Sequence, residues 1–392
     1  MHIERFLHKT LSLVMHKKRL ISLSAFVIAA IKGKKLSLTN LGRFADLDIQ
    51  ERSAIRRADR FIGNTILHSE RKAICGVFIQ QLIGNKKNPK IIVDWSPIPN
   101  SNFKYHVLRA ALMLDGRALT IYEEVHPEKK LGNAKIQKRF LFNLKLLLPE
   151  QCQPIVVTDA GFHNGWFLEV FKLGWDYIGR IRGIKKYQIK GKEWGSIKTL
   201  VSGGTKTPEF IGEVILCLNN SLITNLYRIK NISKGRKSLN LNKERKNDTQ
   251  SKKHSKNAKE AWVLATSLSH KYSSAKRIVK IFKNRMQIEE GFRDLKSSKY
   301  GFGFEEAFSK KIKRIEILLL IGMLAALMAW VIGYIGEGKK LQYQFQANSI
   351  KSRRVLSLFY LGCQILRKKI HFMFSELEGA FFGVRNHLMM AL

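Results

Sequence analysis

Residues 277–297 read RIVKIFKNRMQIEEGFRDLKS. Ile278, Ile281, Ile288, Phe292 and Leu295 recur at the spacing of a helix with one buried side, which predicts a single amphipathic helix over 278–297. At about 100° per residue, Phe282, Arg285, Glu289 and Lys296 then fall within roughly 60° of one another on a neighbouring stripe. An aromatic ring, two cations and one carboxylate on one stripe can be a plain solvated face, with Arg285 and Glu289 paired at i,i+4. Glu290 and Asp294 are rival acids on the same helix, Glu290 turned from Glu289 by about 100°.

The order aromatic, Arg, Glu, Lys at these intervals resembles the Tyr-Arg-Glu-Lys signature of DDE transposases of the IS-four group of insertion sequences. Residues 91–96 (IIVDWS) and 155–162 (IVVTDAGF) resemble the segments that carry the first and second catalytic aspartates of that group, Asp94 and Asp159 here. KAICGVFIQ before the first, LGWDYIGRIRG after the second and AWVLATSL before the helix extend the likeness over about residues 35–370, closest to transposases of cut-and-paste elements. The signature spacing favours Glu289 over Glu290 and Asp294 as third acid. One departure is plain: Phe282 stands where the signature has Tyr, so the ring is kept and the hydroxyl is lost.

The segment around the two aspartates has an α/β pattern. A short strand over 91–93 ends in Asp94, strands over 105–114 and 117–125 flank an Asp115-Gly116 turn, and 134–148 has helical spacing. A strand over 154–158 ending in Asp159, a helix over 166–173 and a strand over 177–181 follow. That order is the order of a ribonuclease-H-like domain, with Asp94 and Asp159 at neighbouring strand ends. Taken singly, an Asp ending a strand is as readily a turn former or helix cap. Two carboxylates a few ångströms apart resist joint ionisation unless a cation sits between them, and Mg2+ is the hard, oxygen-seeking ion for the task. With Glu289 the set serves two metal ions that drive in-line phosphodiester displacement. The resemblance implies the same ions, with Mn2+ able to substitute.

Composition narrows the partner. Lys and Arg number 70 against 30 acids, a net charge of +40, which a polyanion such as DNA neutralises with release of counterions. An apolar content of 45% excludes global disorder. Cys75, Cys152, Cys217 and Cys363 lack the paired spacing of a zinc site or disulfide framework, so a reducing cytoplasm is expected. The first twenty residues carry charges through their apolar positions and do not read as a secretory signal.

The expected organisation is an N-terminal helical DNA-binding domain over 1–85, a ribonuclease-H-like catalytic domain over 86–183 and 261–336, a β-rich insertion with a basic loop over 184–260, and C-terminal helices over 337–392. In the first of these, a helix capped by Ser53 presents Arg56, Arg57 and Arg60, which suits either DNA-end recognition or an ordinary charged exterior. Strands are expected over 209–218 and 222–230, then a Lys-, Ser- and Asn-rich loop over 231–259, then a buried strand over 261–268. Helices are expected over 353–361 and 364–372.

The run 317–335, ILLLIGMLAALMAWVIGYI, is apolar on every face and follows Lys310, Lys311, Lys313 and Arg314. It is long enough to cross a bilayer, but its place directly after the signature helix favours a core helix over a membrane anchor. The resemblance implies a cytoplasmic, nucleoid-associated transposase acting as a homodimer on paired terminal inverted repeats and target DNA. It further implies that Trp262 stacks on a flipped base near the cleaved end, and that Arg285 and Lys296, with the Phe282 ring, contact DNA there. A catalytically inactive or domesticated DNA-binding relative is the alternative that Phe282 and the divergent C-terminus, GAFFGVRNHLMMAL, keep open.

Overall fold

The computed structural model describes residues 2–98, 104–114, 116–230, 244, 248–249, 260–347, 350 and 352–390. The basic loop expected over 231–259 therefore lies outside the described residues apart from 244, 248 and 249, and so does Asp115 of the hairpin turn. In chain order the first elements are helices α1 (His2–Leu11), α2 (Lys17–Gly33), α3 (Leu38–Phe44), α4 (Glu51–Ile62) and α5 (Thr65–Ile83). Strands β1 (Lys90–Ile98), β2 (Tyr105–Met113) and β3 (Ala118–Pro127) precede α6 (Ala134–Leu147), β4 (Ile155–Thr158), α7 (Asn164–Lys172) and β5 (Asp176–Ile181). Then come β6 (Lys186–Ile189), β7 (Gly195–Ser196), α8 (Ile197–Ser202), β8 (Glu209–Leu216), β9 (Leu222–Ile229) and β10 (Trp262–Thr266). The chain closes with α9 (Ala275–Asn284), α10 (Gln287–Lys296), α11 (Ile312–Gly338), α12 (Gln342–Phe345), α13 (Leu358–Arg367) and α14 (Phe374–Met390). The fold is mixed α/β, in two compact units: 1–133 with 142–152 and 286–392, and 134–141 with 153–285.

In the first unit β1, β2 and β3 form an antiparallel meander, with Gly116 at φ +77° in the turn between β2 and β3. Helix α11 is the core of this unit: its most apolar stretch is 94% buried. It packs against α2, α5, α13, α14 and β3. Its contact with α13 is a backbone-to-backbone crossing, since a Cβ on Gly333 would lie 1.9 Å from the Leu358 carbonyl oxygen and one on Gly362 would lie 1.8 Å from that of Ala329. The one acid buried in α11, Glu316, is compensated: Oε1 accepts the Val125 N–H at 3.1 Å and lies 3.2 Å from Arg71 Nη2, and Oε2 lies 2.6 Å from His68 Nε2.

Glu124 on β3 is a second buried acid in this unit. Burial works to raise its pKa, but hydrogen bonds from His126, from Tyr122 Oη at 2.7 Å and from Asn143 Nδ2 at 2.9 Å outweigh it and hold the carboxyl at about 2. A carboxyl depressed in the folded state contributes stability above its unfolded pKa and loses it as pH falls through the folded value. Denaturant midpoints should therefore fall between about pH 4.5 and about pH 2. Glu124→Gln should lose part of that acid slope; an unchanged slope in the variant would contradict the assignment.

In the second unit β4 and β5 are parallel and joined by α7, and β10 pairs antiparallel with both β5 and β9. Strands β8 and β6 continue from β9, and β7 pairs with β6, so the strands from 184–260 extend the sheet that begins with β4. The middle of β4, β5 and β10 is buried and apolar, as expected for strands covered on both faces.

Four sequence expectations differ from the structure. The helix over 278–297 is two helices, α9 and α10. Arg285 and Met286 keep right-handed helical angles, but Arg285 N–H reaches Phe282 O and Glu289 N–H reaches Met286 O, both at 3.1 Å, so the ladder tightens and its phase is broken. Strand β1 runs on through Pro97 to Ile98, which puts Asp94 in mid-strand. Helix α4 begins at Glu51 with Gln50 as N-cap, ahead of Ser53. The two helices expected over 353–361 and 364–372 are one, capped by Ser357, whose Oγ accepts the Tyr360 N–H at 3.2 Å.

Candidate active site

The first unit carries Asp94 and Glu289. Asp94 is half-buried on β1, directly after the buried Ile91, Ile92 and Val93, and its Oδ1 accepts the Trp95 N–H at 2.9 Å. Its cross-strand neighbour on β2 is Arg109, whose own neighbour on β3 is Glu123. Directly opposed residues share a sheet face, so the three form a charge ladder. Arg109 is buried, donates through Nε to Glu123 Oε2 at 2.8 Å, and lies 4.1 Å from the centre of the Phe292 ring.

Helix α10 packs on β1 and β3 through this ladder. Lys296 Nζ donates to Ser96 Oγ at 2.7 Å and to the Pro97 carbonyl, and lies 5.1 Å from the Phe292 ring centre. Ser96 is two residues from Asp94 and so on the same face of β1. Burial, with Arg109, pushes the Lys296 ammonium down to about 8 against the opposing pull of Glu305, Asp94 and Glu123. Glu289, Phe292 and Lys296 lie at i, i+3 and i+7 on α10, with Glu289 exposed. The rival acids are engaged elsewhere: Asp294 Oδ2 accepts Arg117 Nε at 2.9 Å, and Glu290 pairs with Arg117 at 3.5 Å and with Arg293.

The second unit carries Asp159, Trp262, Phe282 and Arg285. Asp159 follows β4 immediately, half-buried, and its Oδ1 accepts the Gly161 N–H at 2.8 Å. Trp262 opens β10, half-buried, with Phe282 edge-on to it at 5.1 Å and 76°. Phe282 is itself buried, and the Arg285 guanidinium stands 5.9 Å from its ring centre. The site where the signature has a tyrosine is thus a packing position behind Trp262.

Arg180 on β5 was missed in the sequence, although a charged residue within the apolar run YIGRI is the signal of a special environment. Its guanidinium is 5.9 Å from the Trp262 ring centre and 3.8 Å from Glu260, which Arg182 also holds, through Nε at 3.0 Å. Burial, with Arg182, lowers its pKa to about 10; Glu260 and Asp159 act to raise it and Arg285 to lower it. Among the described residues Nε and Nη2 of Arg180 have no hydrogen-bond partner. Arg109 was missed in the same way, as the one charge within the run VLRAALM.

Of the basic residues on α4, Arg56 and Arg60 are exposed, whereas Arg57 donates to Ser22 Oγ from Nε at 3.2 Å and from Nη2 at 2.9 Å. Among the described residues no three His, Cys, Asp or Glu side chains gather as a metal-holding group. Asp94, Asp159 and Glu289 nonetheless offer only carboxylate oxygens, the donor chemistry of Mg2+.

No curated protein matches the chain. Among solved structures, a cryo-EM structure of the piggyBac transposase synaptic complex with hairpin DNA is similar at a TM-score of 0.41 and 10% identity, covering 99% of this chain and 77% of that one. Residues 85–328, well over half the chain and inclusive of both aspartates and Glu289, match the family model described as the transposase DDE domain. The chain belongs to the transposase DDE domain family.

Proposed function

We propose that this chain is a DNA transposase of the IS-four, Tyr-Arg-Glu-Lys type, which cuts the ends of its element and joins them to target DNA. The observation that carries the reading is the docking of α10 on β1: Lys296 reaches Ser96 on the strand of Asp94, on the helix that bears Glu289. Asp94, Asp159 and Glu289 would hold two Mg2+ ions, for which Mn2+ would substitute, within a ribonuclease-H-like catalytic core. Bound there, such ions would supply activation of a water or 3′ hydroxyl and charge stabilisation on the leaving oxygen of an in-line displacement.

The chain's own residues bind and orient the DNA. Trp262, backed by Phe282, offers an aromatic face to an unstacked base. Arg180 beside that face, Arg285 beside Phe282, and Lys296 beside Asp94 supply cations for backbone phosphates. Arg56 and Arg60 on α4 extend the positive surface for the terminal repeats, while Arg57 braces α4 against α2. Helix α11, buried within its unit, serves as core, and the protein works in the cytoplasm as a homodimer on paired ends.

Purified protein incubated with a plasmid carrying the coding region and its flanks tests the reading. Mg2+-dependent cuts at the element boundaries are expected, lost on chelation and restored by Mn2+. DNA binding with no cleavage under either ion would leave only a domesticated DNA-binding relative.

A further inference from the structure

The basic residues at the start of α11, Lys310 and Lys311 before it and Lys313 and Arg314 in its first turn, are not used by the proposed site. In the first unit Lys310, Lys311, Lys313 and Arg314 line a cleft of about 540 Å³ together with Asn64, Thr65 and His68. None of the lining side chains is acidic. The nearby acids are already held: Asp59 pairs with Arg314, whose Nη1 also donates to the Asp59 carbonyl at 3.3 Å, and Glu316 is held by His68 and Arg71. The run itself is anchored, since Tyr105 Oη donates to the Lys310 carbonyl at 2.8 Å.

Asn64, Thr65 and His68 belong to the start of α5, a helix of 19 residues whose N-cap Asn64 accepts the Leu67 N–H at 2.9 Å. A helix N-terminus and a set of four cations thus line one open space, a combination that favours anions. Helix α4, with exposed Arg56 and Arg60, ends at this cleft and is tied to it by the Asp59–Arg314 pair.

We propose that this cleft is a second DNA-binding site, which grips the phosphates of a duplex apart from the cleavage residues and continues the positive track of α4. The choice of DNA over an anionic lipid surface rests on the transposase reading. It also rests on α11, which is buried within its unit over residues 315–333 apart from Ala326, so the lysines do not flank a bilayer span.

The test is the salt dependence of binding to a short duplex of arbitrary sequence. With Lys310, Lys311 and Lys313 all changed to Gln and Arg314 kept, the slope of log affinity against log salt should flatten by about 2 to 3, since each phosphate contact contributes about 0.9. Affinity at physiological salt should fall ~10-fold or more. The matching Lys→Arg triple should restore the slope, and a control triple at exposed Lys17, Lys129 and Lys130 should leave it nearly unchanged. Equal flattening by the control and cleft triples would overturn the site as a mere effect of net charge. So would an unchanged slope in the cleft triple, including the case in which that triple loses binding to phosphatidylserine-rich vesicles. The slope is read in Asp94→Asn protein as well, so failure of cleavage and failure of this site are separate results.

Discussion

Asp94→Asn should silence strand cleavage, by ~10³-fold or more, while leaving duplex affinity within about twofold. The expected size follows from what a metal-ligand carboxylate does: it holds the ion that both activates the nucleophile and takes up charge on the leaving oxygen. The substitution is a clean one here. Asn keeps the Oδ1 that accepts the Trp95 N–H, and the pairing of β1 with β2 is a backbone ladder that the side chain does not enter. Arg109 keeps its bond to Glu123, so the ladder beside Asp94 stays charged and fixed. Glu290→Gln is the matched control, since Glu290 is engaged with Arg117 and Arg293 at a partly exposed position. It should cost no more than about 1 kcal/mol of stability and leave cleavage within a few-fold. Cleavage retained in Asp94→Asn, or lost equally in Glu290→Gln, would remove Asp94 from the chemistry.

The largest effect on stability is expected at the crossing of α11 and α13. Gly362→Ala sets a methyl against the Ala329 carbonyl oxygen, and Gly333→Ala sets one against that of Leu358. Both obstacles are backbone, so no side chain can turn aside and the two helices must part. Parting them opens the most deeply buried helix of the unit, at a cost of about 3 kcal/mol, the upper part of the usual range for overpacking. That corresponds to a loss of about 5 °C in thermal midpoint. Gly379→Ala, on α14, meets nothing within 4 Å and should be neutral or slightly stabilising. A Gly362→Ala protein that melts with the Gly379→Ala control would mean that the helices do not cross this closely.

How far the sequence could be read depended on whether a feature was local. The strand before Asp159 is a run of Ile155, Val156 and Val157 after Pro154, and the helix over 134–148 has a clear period up to Pro149; both lie within a residue of β4 and α6. Strand β1 is legible in the sequence only over its apolar run 91–93, yet its pairing with β2 continues past Asp94 through Pro97, opposite His106, to Ile98. The break at Arg285 and Met286 carries no Pro or Gly to announce it. Ile278, Ile281 and Phe282 are buried in one compact unit and Ile288, Phe292 and Leu295 in the other, a division that periodicity cannot display. The position of Lys296 over Ser96 joins residues far apart in sequence and follows only from the docking of α10 on β1, and the pairing of Arg109 with Glu123 follows only from the register of β2 on β3. For the same reason the 310–314 run, read beside an apolar helix, suggested a membrane flank before its cleft with Asn64 and Thr65 was visible.

The central claim is that Asp94, Asp159 and Glu289 hold the same pair of ions, and iron-directed chain cleavage measures it most directly. Fe2+ takes the place of Mg2+ at such oxygen sites and, with ascorbate and peroxide, releases radicals that cut the nearest backbone. On the protein bound to element-end DNA, cuts should cluster at three places, beside 94, 159 and 289, and all three should disappear together with excess Mg2+ or in Asp94→Asn. Cuts at one acid alone, or at sites unrelated to the three, would contradict the shared metal pair.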